Sequence, residues 1–77
     1  MDELKKTRQD IDDIDNKILE LLNKRAASVK RIADVKKDKN LPPFDPSREK
    51  RILNELSRKN KGPMKTKDIE FVMDAVF

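Results

Sequence analysis

The sequence contains no cysteine, histidine, tryptophan or tyrosine, and it has one glycine. Without cysteine there is no disulfide and no cysteine-ligated metal site, and without histidine there is no imidazole base or ligand. This composition is compatible with a reducing compartment, so we expect a cytoplasmic protein. Three phenylalanines are the only aromatic residues among 77. A chain this short buries little apolar surface on its own.

The sequence also has no long apolar run and no strong excess of one charge. No segment approaches the roughly 18 apolar residues of a membrane span, so we expect no membrane partner. The charged N-terminus is unlike a signal peptide. Nineteen basic and fifteen acidic residues leave a net charge of +4. A basic domain suggests nucleic acid, but the charges are mixed and an aromatic platform is missing. We therefore expect a small anionic ligand and no nucleic acid.

The first half of the chain has the pattern of one long amphipathic helix. Apolar residues recur from Leu4 to Val35 in steps of three and four, and no glycine or proline interrupts residues 2–41. The pattern predicts a helix over about residues 3–38, on the order of 50 Å long. A compact domain of this size is about 30 Å across, so the helix overhangs. We predict an obligate homodimer whose long helices pack antiparallel or intertwined.

A second, shorter helix is predicted over residues 46–60. The loop at residues 40–44 contains two prolines, which break a helix. Asp45 is a candidate N-cap, and Pro46 takes the favoured first helical position. Glycine and proline within residues 60–63 are stop signals for this helix.

A third helix is predicted over residues 66–77, with Thr66 as a candidate N-cap. Its apolar stripe is still running at Phe77, so we expect a domain that is cut within the third helix. No repeat or strand signal is present. The sequence thus predicts an all-α domain over residues 1–77, with helices in the order long, short, short.

An arginine interrupts the apolar stripe of the long helix. Arg25 stands among apolar positions, where an unpaired buried guanidinium costs several kcal/mol. Lys36 follows eleven residues later, on about the same face and roughly 16 Å along the axis, whereas Arg8 points about 100° away from Arg25. Arg25 can lay its stem on the stripe with its head in water, pair with an acidic residue across a dimer, or meet an anionic ligand. Lys36 can be an ordinary solvent-exposed residue near the end of the helix.

A second group of charges opens the second helix. Arg48 is a cation in the first turn, where it opposes the helix dipole, so its presence there needs another explanation. Glu49 complements the dipole, and Asp45 caps the helix. Neither structural role excludes a further role for the carboxylate.

Taken together, these residues resemble the all-helical class of chorismate mutase. The family has an arginine near the start of helix 1, an arginine and a lysine farther along it, and a D-P-x-R-E motif opening helix 2. Arg8, Arg25, Lys36 and the segment 45–49 match these types and spacings, and the match runs from Leu4 to Phe77. The stretch FDPSREKRILNELSRKNKGP looks most like the mutase domain at the N-terminus of certain bacterial 3-deoxy-7-phosphoheptulonate synthases.

The resemblance implies an intertwined helical homodimer that converts chorismate to prephenate. This Claisen rearrangement is unimolecular and requires no metal or cofactor. The resemblance also implies that three arginines bind the carboxylates of the chorismate dianion: Arg25, Arg48 and the partner's Arg8. The planar guanidinium fork suits a carboxylate because it binds with two parallel hydrogen bonds.

Further roles follow from the same resemblance. Lys36 would donate to the ether oxygen, and Glu49, together with Asp45, would accept a hydrogen bond from the ring hydroxyl. The family's third helix commonly adds a glutamine at the ether oxygen, and its position would fall roughly two turns beyond Phe77. The loss of one such donor costs about 10²–10³ in rate.

A regulatory role is the alternative to catalysis. If the chain is the N-terminal part of a 3-deoxy-7-phosphoheptulonate synthase, the same pocket can bind chorismate or prephenate and signal feedback inhibition to the attached domain. A plain dimeric helical scaffold is the third interpretation, and it requires the spacing of the cations to be coincidental.

Overall fold

A computed structural model describes residues 2–43 and 45–77. It contains three α-helices: α1 at Asp2–Asp38, α2 at Pro46–Lys59 and α3 at Thr66–Val76. Within the described residues there is no strand, so the all-α class and the long-short-short order are confirmed. Phe44, placed by the sequence in the loop at 40–44, lies outside the described residues. The chain divides into two compact units, with the boundary between Leu41 and Pro42.

Helix α1 runs without interruption for 37 residues. Acidic side chains occupy its first turn and basic ones its last turn, which matches the sign of the helix dipole at each end. After its last residue, Asp38, the helix is terminated by Asn40, which adopts the left-handed conformation with φ 56°. The N–H of Leu41 donates to the carbonyl of Lys36 at 2.8 Å, and that of Asn40 donates to the carbonyl of Lys37 at 3.2 Å. These two bonds close a Schellman motif.

The apolar stripe of α1 is uncovered in the single chain. Its large apolar side chains remain between 42% and 62% exposed, and α1 contains no buried residue. A helix in a folded protein gains most of its stability by burying such a stripe against another surface. Burial of this stripe against another surface would therefore stabilise α1.

The second unit is a pair of packed helices. Asp45 caps α2 and Pro46 occupies its first turn, as the sequence predicts. Helices α2 and α3 contact each other, and Ile69 of α3, which is 9% exposed, is the one buried residue in the described part of the chain. Five apolar residues are half-buried in this unit: Ile52, Leu53, Met73, Val76 and Phe77.

The turn between α2 and α3 is held by side-chain hydrogen bonds. The Asn60 amide donates to the carbonyl of Met64 at 2.6 Å, and its oxygen accepts from the Gly62 N–H at 3.0 Å. Gly62 has a φ of 80°, a conformation that glycine adopts at little cost.

The predicted N-cap of α3 is wrong by one residue. Lys65 is the N-cap and Thr66 is the first helical residue. The backbone N–H of Lys65 donates to Oδ2 of Asp68 at 3.0 Å. An acidic side chain at the third helical position thus anchors this helix start, as in half of a capping box.

Candidate active site

Three polar residues of α1 are half-buried, although its apolar stripe is exposed. Arg25, Ser28 and Lys36 are half-buried, and every other residue from 2 to 38 is exposed. Burial is thus concentrated on the two cations that the sequence singles out and on one hydroxyl between them. This is the reverse of an ordinary surface helix, where charged heads are the most exposed groups.

The continuous helix fixes how Arg25 and Lys36 are arranged. Eleven residues separate them, so they lie roughly 16 Å apart along the axis and within about 20° of one face. Their long side chains can converge on one small anion from its two ends. In the part of the chain that the structure describes, the Lys36 ammonium has no ion pair or side-chain hydrogen bond.

Arg8 lies apart from this pair. It is exposed, in a shallow hollow formed with Leu4, Lys5, Gln9 and Asp12. It points about 100° away from Arg25 and lies roughly 25 Å down the axis. The helix therefore does not bring Arg8 and Arg25 of one chain together.

Ser28 is a candidate that the sequence alone does not single out. It stands in the apolar stripe one turn beyond Arg25, and Nη2 of Arg31 donates to its Oγ at 3.1 Å. A polar residue at an apolar position of a long stripe is the signal that could have identified it.

The second group of candidates lies at the start of α2. Oδ1 of Asp45 accepts from the Arg48 backbone N–H at 3.2 Å and from Oγ of Ser47 at 2.6 Å. The predicted capping role of Asp45 is confirmed by these bonds. They fix the first turn, which carries Arg48 and Glu49.

Glu49 and Arg48 differ in burial. Glu49 is half-buried, whereas Arg48 is exposed. Glu49 shares a helix face with Ile52, Leu53 and Leu56, because these residues follow it at intervals of three, four and seven. Carboxylates are rarely covered unless they have a partner. Among the described residues, however, neither Glu49 nor Arg48 forms an ion pair or a side-chain hydrogen bond.

Three other charged residues of α2 form ion pairs within the helix. Glu55 contacts Arg58 at 2.6 Å and Lys59 at 3.7 Å. In α1, Lys24 contacts Glu20 at 3.2 Å. All these paired residues are exposed. These exposed ion pairs do not include Lys36, Arg48 or Glu49, whose charged groups can therefore meet a ligand.

The structure therefore gives two sets of candidates, one in each unit. Arg25 and Lys36 share a face of α1, and Asp45, Arg48 and Glu49 share the entrance of α2. Across residues 2–43 and 45–77, no group of three or more acidic side chains is arranged to hold a metal ion. None of the helices in these ranges combines the length and apolar character needed to cross a bilayer.

The family and the relatives found by comparison with known proteins agree in their descriptions, since each is described as a chorismate mutase. The sequence profile of the family described as chorismate mutase type II matches residues 7–77. A bifunctional chorismate mutase/prephenate dehydratase of Aquifex aeolicus is 49% identical over 61 residues, covering 79% of this chain and 17% of that protein. A chorismate mutase of Methanocaldococcus jannaschii is 38% identical over 58 residues, covering 75% of this chain and 59% of that protein.

A solved structure shows the same fold. The chorismate mutase of Thermus thermophilus superposes with a TM-score of 0.95 at 29% identity, and the match covers 97% of this chain and 94% of that one. The two curated relatives are longer, since the chain spans less than two thirds of each.

Proposed function

The chain belongs to the chorismate mutase type II family, and from that membership we propose that it converts chorismate to prephenate. The observation that carries the proposal is the match of the family profile over residues 7–77. The names of the relatives support the same activity. The candidate residues support it further, because they are the charged groups that this reaction can use.

The reaction sets two requirements. The substrate is a flexible dianion that must be held in its compact reactive conformer. Negative charge also develops on the ether oxygen as the C–O bond breaks, so a preorganised donor there lowers the barrier. Neither requirement calls for a general base or a covalent intermediate, which fits a chain without histidine or cysteine.

Arg25 and Lys36 are suited to these two tasks. The Arg25 guanidinium would bind one carboxylate through two parallel hydrogen bonds. The Lys36 ammonium is a compact charge on a flexible stem, and it would donate to the ether oxygen. Both side chains are half-buried, and partial exclusion of water strengthens their attraction to an anion.

The start of α2 would complete the pocket. Arg48 would bind the carboxylates together with Arg25, which explains a cation in a first turn where it opposes the dipole. Glu49 would accept a hydrogen bond from the ring hydroxyl. Asp45 would assist Glu49 while its Oδ1 caps the helix through the Arg48 N–H.

A second copy of the chain would cover the stripe of α1. Residues 2–20 contain seven acidic and four basic residues, whereas residues 21–39 contain two acidic and seven basic ones. An antiparallel pair of α1 helices therefore sets the acidic half of each helix against the basic half of the other, and charge complementarity of this kind favours one orientation. The partner's Arg8 would then enter the pocket that holds Arg25.

The mutase activity is tested by following chorismate. The purified chain is mixed with chorismate, and loss of the ultraviolet absorbance of its conjugated diene is recorded at increasing substrate concentrations. Saturable loss with formation of prephenate is expected. Absence of turnover at high protein concentration, with correctly folded helices by circular dichroism, would overturn the proposal.

A regulatory binding module is the less favoured alternative. The two relatives described above are named as mutases, and the fused one carries a prephenate dehydratase and not a 3-deoxy-7-phosphoheptulonate synthase. The comparisons therefore favour catalysis over feedback control of a synthase. We also propose a cytoplasmic location, which the cysteine-free composition supports.

A further inference from the structure

Ser28 makes one side-chain hydrogen bond, and its direction leaves the hydroxyl proton available. Arginine has no acceptor, so Arg31 is the donor and Oγ of Ser28 is the acceptor at 3.1 Å. A serine hydroxyl has one proton as well as two lone pairs. That proton therefore remains to be donated elsewhere.

Thr7 on the same helix shows the usual alternative. Its Oγ1 donates to the carbonyl of Glu3 at 2.8 Å, the bond that serine and threonine commonly form with the preceding turn of a helix. Within the described residues, Ser28 makes no such bond. Its proton is not committed to the backbone of α1.

The position of Ser28 brings this donor close to Arg25. Residues three apart on a helix have Cβ atoms about 5–6 Å from each other, so an anion bound by Arg25 is within reach of the Ser28 hydroxyl. Both residues are half-buried, in contrast to the exposed side chains around them. Arg31, which lies outside the stripe, is drawn towards it by the bond to Oγ.

We propose that Ser28 is a further substrate-binding residue, whose hydroxyl donates to the carboxylate held by Arg25 and is oriented for this by Arg31. The inference rests on the proposed mutase function. Arg31 has two effects in this arrangement. Its donated bond polarises the hydroxyl and makes it a stronger donor, and its charge adds to the positive field at the carboxylate. Arg31 is thus a positioning residue that acts through Ser28.

Steady-state kinetics with chorismate test the inference on the full chain. Ser28→Ala is expected to lower kcat/KM about tenfold or more, since a hydrogen bond to a charged group is among the strong ones. The loss is expected mainly as a raised KM, because the carboxylate is bound equally in the ground and transition states. Ser28→Thr keeps the hydroxyl and is expected to restore most of the affinity.

Two further variants separate binding from structure. Ser57→Ala removes a half-buried serine of α2 and is expected to leave KM unchanged. Arg31→Gln alone is expected to raise KM, but it should add little in a chain that already carries Ser28→Ala, because the two residues act as one unit. Full additivity of the two losses would overturn the positioning role of Arg31.

The outcomes distinguish this inference from the proposed function. If the wild-type chain turns over chorismate and Ser28→Ala has the same KM, the mutase stands and the role of Ser28 is refuted. If the wild-type chain does not turn over chorismate, calorimetric titration with prephenate decides. Weaker binding to Ser28→Ala than to wild type supports the inference, and equal binding or no binding to either refutes it.

Discussion

Lys36 lies eleven residues beyond Arg25 on the same face of α1, and both residues are half-buried while the apolar residues around them are exposed. A regular helix keeps this spacing fixed at roughly 16 Å without any loop or hinge. The helix therefore holds the two cations at a set separation, and the first predictions concern their proposed roles at the carboxylate and at the ether oxygen.

Replacing Arg25 is expected to affect rate much more than stability. Arg25→Ala should lower kcat/KM by about 10²–10³, the usual cost of a preorganised charged donor. Because the proposed partner of the Arg25 charge is the substrate and not another side chain of the fold, the midpoint of urea unfolding should change little. Lys24→Ala is the matched control, since its side chain is exposed and pairs with Glu20. Unchanged turnover in Arg25→Ala would contradict its assignment to the pocket.

Lys36 is expected to act mainly in the transition state. Lys36→Met keeps the length of the stem and removes the charge, so it should lower kcat by about 10²–10³ with a small change in KM, since the ether oxygen is most negative in the transition state. The neighbouring Lys37→Met should have nearly normal kinetics, because Lys37 is exposed in the last turn of α1. Equal effects of the two variants would argue that both lysines merely complement the helix dipole.

Substitutions can separate the capping role of Asp45 from its proposed role beside Glu49. Asp45→Ala removes the cap of α2 and should lower the free energy of unfolding by about 1 kcal/mol. Asp45→Ser keeps a capping oxygen and should recover most of that loss. If Asp45 also assists Glu49, the serine variant will remain slower than wild type despite its restored stability. Urea unfolding at one protein concentration, together with kcat/KM for both variants, makes this comparison.

The exposed stripe of α1 predicts that the chain forms a dimer. A single charge placed in the stripe should disrupt that dimer. Ile18 is 49% exposed in the single chain, and Ile18→Lys should raise the dimer dissociation constant at least a hundredfold, since an unpaired buried charge costs several kcal/mol. Asn16→Lys places the same charge on the opposite face of α1 and should leave the dimer intact. Sedimentation velocity distinguishes the two, and a wild-type chain that sediments as a monomer at micromolar concentration would refute this association.

The sequence predicts the class and order of the helices because their determinants are local. Proline and glycine mark the boundaries, and the apolar period of α1 persists through residue 35. The start of α3 is harder to predict from the sequence. The expected threonine cap is absent, and the backbone N–H of Lys65 donates to the Asp68 side chain instead. A capping carboxylate three residues into a helix is hard to tell from an ordinary surface residue.

Only part of the candidate site can be predicted from the sequence, for a similar reason. Arg25, Lys36 and Glu49 stand out by type and position, and the structure adds that each is half-buried. Ser28 stands out less, since a single small polar residue within a long apolar stripe is common. Its significance depends on the direction of a hydrogen bond with Arg31, and a pattern of residue types does not contain that direction.

Mixing two inactive variants tests the central claim most directly. Arg8→Ala and Arg25→Ala are each expected to be nearly inactive alone. If each site combines Arg25 with the partner's Arg8, half of the randomly mixed dimers contain one intact site, and the mixture should recover roughly a quarter of wild-type turnover of chorismate. If the mixture is no more active than the mean of the two variants, a shared site of this kind is contradicted.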